Sequence, residues 1–197
     1  MNDGILDLVR RRLERLPKGL RQHIHKVEEI SAELAHVHRV SQARARLCAQ
    51  AHDLCRAMRG EELLRRARDL GVSVYPVEEQ MPILLHGPVA AEMLRQEGLR
   101  DDGVYQGIYY HSTAHPGLGP VAKVVFLADK LDPQKMRRYP YIPELKAMAL
   151  KSLDVALLEF LNREIASFVN SGSLVHPASV EARDELVAKI ASSATRA

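Results

Sequence analysis

Nine histidines stand in this chain of 197 residues, and five of them, His23, His52, His86, His111 and His176, fall with Asp53 and Asp129 where a packed helical core would not ordinarily choose such groups. His52 and Asp53 are adjacent. On a helix neighbouring side chains diverge by about 100°, so such a pair brings two ligands to one ion only where the helix faces a polar pocket. Taken alone, the dipeptide reads as a surface pair. His23 shares a spacing of three and four with Val27, Ile30, Leu34 and Val37, which puts it on a buried helical face, and Asp129 lies beside Val125 and Ala128 on another. Singly, His23 is as readily a hydrogen-bonded core histidine and Asp129 a salt-bridged one. A metal ion would offset the cost of burying both. Imidazole and carboxylate together suit iron, manganese, zinc or nickel, and fit neither a soft copper site nor an all-oxygen calcium loop. Such an ion lowers the pKa of a bound water and supplies hydroxide near neutral pH.

The elements that bring these groups together are helices, because apolar residues recur at three and four while alternation with period two is nearly absent. Ile5, Leu8, Val9, Leu13 and Leu16 form a first stripe ended by Pro17, and the stripe of His23 forms a second. An alanine-rich third helix over residues 41–58 presents Leu47, Cys48, Ala51, Leu54 and Cys55 on one face. Gly60 and Gly71 bracket a fourth. An irregular segment with Pro76 and Pro82 follows, and Gly87 and Pro88 start a helix directly behind His86. Further helices are expected at residues 101–111, 120–131, 143–151 and 152–171, with a last one from Pro177. The expected organisation is all-α and single-domain: residues 1–16 as a helix packed on the domain, 17–190 as the domain, and 191–197 as a flexible tail.

Hydrophobic residues make up 46% and charged residues 27%, a composition that excludes a disordered or collagen-like chain. A formal net charge of +3 is too small to argue for a nucleic-acid partner, and no long basic stripe is visible. The longest uncharged stretch, residues 103–122, holds two prolines and four glycines and does not read as a membrane span. Asp3 and Asp7, with no apolar block and cleavage site beside them, give no export signal. The two cysteines, Cys48 and Cys55, are too far apart on one helix to bridge. A cytoplasmic location is the expectation.

The order His23, His52-Asp53, Asp129 is that of the HD-domain metallophosphohydrolases, and the chain resembles one branch of them. The segments Leu84-Leu85-His86-Gly87-Pro88-Val89-Ala90-Ala91, Tyr110-His111-Ser112-Thr113, Ala128-Asp129-Lys130-Leu131-Asp132-Pro133, and Val175-His176-Pro177 through Val180-Glu181-Ala182-Arg183 look like those of the YqeK-type hydrolases. Those are bacterial enzymes that split diadenosine tetraphosphate symmetrically. The likeness extends over residues 17–186.

The resemblance implies an HD-domain helical bundle in which His23, His52, Asp53 and Asp129 bind iron, as one or two ions, with manganese or another divalent metal as the alternative. It places His52 and Asp53 at the catalytic centre, holding the metal-bound hydroxide that acts as nucleophile. It brings His86 and His111 to the phosphates or to a second metal. Arg56 and Lys135 would meet phosphate oxygens, Ser112 would contact the substrate, and the segment holding Ser173, Leu174, Val175 and His176 would line the nucleoside. The implied partner is a dinucleoside polyphosphate or ADP, with no nucleic acid or membrane; a homodimer is left open.

Some positions depart from the family pattern. Leu20 replaces a basic residue, Gln50-Ala51 replace Leu-Leu before the pair, and Arg56 and Lys135 exchange lysine for arginine and the reverse. The last two keep charge but trade point and forked donors. Met58, Met81, Met93, Met136 and Met148 read as packing residues. His25, His36 and His38 read as surface residues, Arg137 and Arg138 as solvated ones, while His115, Tyr109 and Tyr110 carry no assignment. Two further readings stay open beside symmetrical hydrolysis: a broader HD nucleotidase or phosphohydrolase, and a nucleotide-binding regulatory module without catalysis.

Overall fold

The computed structural model describes residues 3–194, which form 11 helices and no strand. They are α1 (Asp3–Glu14), α2 (Lys18–Val37), α3 (Gln42–Ala51), α4 (Gly60–Asp69), α5 (Pro76–Gln80), α6 (His86–Gln96), α7 (Asp102–Tyr109), α8 (Pro120–Lys130), α9 (Ile142–Ala149), α10 (Leu153–Asn170) and α11 (Pro177–Ala194). Two 3-10 turns, Pro82–Leu85 and Pro133–Lys135, lead into α6 and out of α8. Three helices start on side-chain caps: Ser41, Asp101 and Ser152 each accept the backbone N–H three residues on. Each such cap is typically worth about 1 kcal/mol.

Two apolar clusters fill the interior. One is built from α2, α8, α9 and α10, with Leu34, Phe126, Leu127, Leu157 and Phe160 buried in it. The other joins α1, α3, α4, α6 and α7 around Val9, Leu63, Leu85, Leu94 and Ile108. Burying a leucine such as Leu34 or Leu63 contributes roughly 1.5–3 kcal/mol, and both are fully buried. Helices α3 and α8 stand between the clusters and are covered on both sides. Ala45 and Ala49 of α3 face the first cluster, while Leu47, Cys48 and Ala51 face the second. This explains the alanine content of α3: flanked by packed helices, it has little room for longer side chains. Likewise Phe126 and Leu127 of α8 face one cluster, and Val121 and Val125 the other. The polar groups at the ends of α3 and α8 therefore sit at the seam between the clusters.

Several boundaries differ from the expectation. The third helix stops at Ala51, not at residue 58, and residues 52–57 form turns. The segment around Pro76 and Pro82 is not irregular but carries α5 and a 3-10 turn, with proline in the first turn of each, where its missing N–H costs nothing. Helix α6 begins at His86 itself, directly on that turn. Val37, at the end of α2, is 44% exposed where the stripe placed it inside. His38 is half-buried, bonded through Nε2 to the Ala149 carbonyl at 2.6 Å, where a surface position was expected. Helix α11 runs on to Ala194, past the expected start of a tail at 191; residues 195–197 lie outside the described residues. Ile5 and Val9 of α1 are buried. Cys48 and Cys55 are free and buried. Among the described residues no helix is long and apolar enough to cross a membrane.

Candidate metal centre

The end of α3 decides how His52 and Asp53 lie. His52 caps the helix through a 2.9 Å bond from its N–H to the Cys48 carbonyl, and the chain then turns. Asp53 is thereby freed from the helical divergence between neighbours and comes beside the imidazole, with Oδ2 3.5 Å from His52 Nε2. His52 Nδ1 donates to the Ala49 carbonyl at 2.6 Å, which leaves the lone pair on Nε2. That nitrogen is buried and has no hydrogen-bond partner. Asp129 Oδ1 lies 3.8 Å from it. A buried acceptor nitrogen facing two carboxylates with no donor between them is unfavourable unless a cation joins them.

His23 of α2 completes the group. Its Nε2 is 3.1 Å from Asp129 Oδ1 and 3.6 Å from Asp53 Oδ2, and its Nδ1 is 2.5 Å from Asp132 Oδ2. His23, His52 and Asp129 offer ligand atoms that all lie within 4.8 Å of one another, and so do His52, Asp53 and His111. The four residues expected to bind metal are therefore brought together. Nitrogen and oxygen donors on α2, α8 and the end of α3 fit a borderline or hard divalent ion.

Burial lowers the pKa of His23, but Asp129 and Asp132 more than reverse it, to about 9. Burial lowers that of His52, against the pull of Asp53 and Asp129. For Asp53 burial acts upward, yet the facing imidazoles of His52, His111 and His86 hold it well below the usual carboxylate range. Burial acts upward on Asp129 too, and Lys130, Lys135 and His23 outweigh it.

A second convergence adjoins the first. His86 Nε2 is 2.9 Å from Asp53 Oδ1 and 2.8 Å from His111 Nε2, and His111 Nε2 is 3.5 Å from the same oxygen. The Nδ1 atoms of both rings bond to backbone carbonyls, His86 to that of Ile83 and His111 to that of Ile108. A carbonyl only accepts, so both Nε2 atoms carry lone pairs in the neutral rings. Burial pushes His111 down to about 3, which keeps it neutral. Two lone pairs and a carboxylate oxygen thus meet at one point, which suits a proton or a cation. Gly87 makes the meeting possible: a Cβ there would lie 2.8 Å from the carbonyl oxygens of Ile108 and Tyr109 and 3.0 Å from His111 Cε1.

A cavity of about 790 Å³ opens from this floor, within the range of small-ligand sites. Asp53, His86, His111 and Asp129 line it, while His23 and His52, which contact Asp53 and Asp129, are not among its lining residues. Arg56 and Lys135, expected at phosphate, and Ser112, expected at the substrate, line it as well. Lys135 Nζ bonds to Asp129 Oδ1, and Lys130 Nζ bonds to Asp129 Oδ2 at 2.7 Å and to the His111 carbonyl at 3.0 Å. The far wall is apolar, with Ile165, Phe168, Leu174 and Val175. His176 also lines the cavity; its Nδ1 accepts the Ala178 N–H at 3.2 Å and its Nε2 faces Glu78 at 3.5 Å. Ser173 does not join this wall. Gly172, at φ +68°, turns the chain in the left-handed region, and Ser173 is exposed and bonded to Ser171 Oγ at 2.9 Å.

Arg137 and Arg138 are exposed but also line the cavity, which a merely solvated loop would not, and Arg138 pairs with Glu164 at 2.7 Å. His115 stacks on Tyr110, ring centroids 4.3 Å apart. Lys130 and Asp132 were missed as site residues. Their signal was spacing: Lys130 follows Asp129 directly, and Asp132 stands before Pro133, where it caps the turn just past the end of α8.

Comparison with known proteins bears on the family and the fold. Three curated relatives carry the name symmetrical bis(5'-nucleosyl)-tetraphosphatase, among them one from Bacillus subtilis that is 25% identical over 79% of this chain and 84% of its own. The one from Halalkalibacterium halodurans is 27% identical over 84% of this chain and 88% of its own, and the one from Staphylococcus aureus is 25% identical over 85% and 87%. A Clostridium acetobutylicum crystal structure described as a predicted HD superfamily hydrolase involved in NAD metabolism superposes with a TM-score of 0.86. It covers 93% of this chain and 97% of its own at 24% identity, and so supports the fold. The HD domain model itself matches residues 20–134, a span that holds His23, His52, Asp53 and Asp129 and more than half of the sequence, and the chain belongs to the HD domain family.

Proposed function

We propose that this protein is a metal-dependent hydrolase that cleaves diadenosine tetraphosphate symmetrically into two ADP. The observation that carries the reading is His52 Nε2, buried and without a hydrogen-bond partner beside the carboxylates of Asp53 and Asp129, which themselves line a cavity bearing Arg56 and Lys135. His23, His52, Asp53 and Asp129 would hold the metal, with His86 and His111 beside it for a second ion or a phosphate. Iron is the metal that the family likeness favours, and manganese or another divalent ion suits the same donors. When bound, the metal polarises a phosphoryl oxygen and provides an activated water near neutral pH.

The protein's own groups do the rest. Arg56, Ser112 and Lys135 bind the phosphate chain and place an inner phosphorus over Asp53 and Asp129. Water adds to that phosphorus, the bond to the central bridging oxygen breaks, and the two halves leave as ADP. ADP is already a good leaving group, so no strong acid is needed. Leu174, Val175 and His176, with the apolar wall, take one nucleoside.

The apolar wall favours a second reading, broader nucleotide hydrolysis. Ile165, Phe168 and Leu174 offer surface for stacking and none of the hydrogen bonds that read a base edge. Chromatography of the products separates the readings: ADP alone is expected, ATP with AMP excludes symmetrical cleavage, and comparable turnover of simple nucleotides supports the broader activity.

A further inference from the structure

Asp132 is 1% exposed and uses its two carboxylate oxygens in different directions. Oδ2 meets His23 Nδ1 at 2.5 Å. Oδ1 accepts the Gln134 N–H at 3.0 Å, as the cap of the 3-10 turn Pro133–Lys135. The Asp132 carbonyl accepts the Lys135 N–H at 2.9 Å. That turn carries the Lys135 ammonium to Asp129. One buried side chain thus touches a metal-ligand histidine of α2 and fixes the segment bearing a phosphate-directed cation after α8.

We infer that Asp132 is a positioning residue for both halves of the site: it holds His23 with Nε2 turned to the metal, and it sets the turn that places Lys135. The inference rests on the metal reading above. A carboxylate only accepts, so against it His23 keeps a proton on Nδ1, and Nε2 is the nitrogen that gives up its proton and offers a lone pair when a metal binds. Asparagine changes the first half alone. Its amide oxygen can still take the Gln134 N–H, but its NH2 then faces His23 Nδ1 and donates to it, which moves the ring proton to Nε2 and blocks that ligand. Alanine removes both contacts.

The test measures Mn²⁺ affinity of the metal-free full-length protein by electron paramagnetic resonance, and ADP affinity at saturating Mn²⁺ by calorimetry. Asp132→Asn is expected to weaken Mn²⁺ binding by about 10- to 100-fold and to leave ADP affinity at saturating metal nearly unchanged. Asp132→Ala is expected to weaken both. Asp132→Asn that binds Mn²⁺ as tightly as the wild type overturns the inference and leaves the metal reading standing, whereas a wild type that binds no Mn²⁺ removes both. An Asp132→Asn chain that no longer folds also overturns it, since a residue the fold itself needs is not there to position a ligand.

Discussion

His86 and His111 face each other Nε2 to Nε2 at 2.8 Å, and Asp53 Oδ1 lies within 3.5 Å of both. Each ring has its Nδ1 bonded to the carbonyl three residues before it, Ile83 and Ile108, so neither can rotate its proton into the gap without losing a backbone bond. Two local turns thereby preorganise an acceptor cluster for a cation or a protonated phosphate.

Removing one ring opens that cluster while leaving the His23, His52 and Asp129 set intact. His111→Ala is expected to keep at least one bound metal and to lower turnover by on the order of 10²-fold. Metal analysis paired with steady-state kinetics checks this; full activity would contradict it.

Gly87 sets the distance between α6 and α7. With a Cβ only 2.8 Å from two carbonyl oxygens and 3.0 Å from His111, Gly87→Ala has to push the helices apart or displace the ring. A cost of about 1–3 kcal/mol is expected, together with a loss of activity at temperatures where the variant is still folded. Urea unfolding and kinetics on the same sample measure both.

Asp154, in the first turn of α10, ties three helices: it accepts from Lys123 of α8 at 2.5 Å and from Lys189 of α11 at 2.7 Å. Burial acts to raise its pKa, and the two ammonium groups outweigh this and lower it. Its contribution to stability is therefore complete above the unfolded carboxylate value, near about 3.9, and is lost as pH falls through the depressed folded value. Asp154→Asn is expected to cost about 1 kcal/mol at neutral pH, as befits a partly exposed charged hydrogen bond. The gap to the wild type should narrow from about pH 5 downward. Urea midpoints across that range check the sign, and a gap that widens in acid would refute it.

The helical framework was legible in the sequence because it follows from periodicity: His23 shares the stripe of Val27, Ile30 and Leu34, which marks a core-facing side of one helix. That this face meets α8 was not legible there, and the grouping of the site residues came from the family resemblance. The break after Ala51 was not legible, since Leu54 and Cys55 continue the apolar spacing while the chain has already turned. What stops the helix is tertiary: His52 and Asp53 are drawn to partners on α2, α6 and α8. The roles of Lys130 and Asp132 were hidden for a related reason. Both look like ordinary charges at a helix end, and only the depth at which α8 ends makes them internal. Ser173 went the other way, because the left-handed turn at Gly172 reverses a side chain that the surrounding motif places inside.

The central claim is that His23, His52, Asp53 and Asp129 share one metal, and metal content after anaerobic reconstitution with iron tests it most directly. The wild type is expected to retain at least one iron per chain, and His52→Ala, which removes the buried Nε2 beside the carboxylates, to lose it while keeping its helical fold. A wild type that stays free of iron, manganese and other divalent ions, or a His52→Ala chain that binds them as tightly as the wild type, would contradict the account.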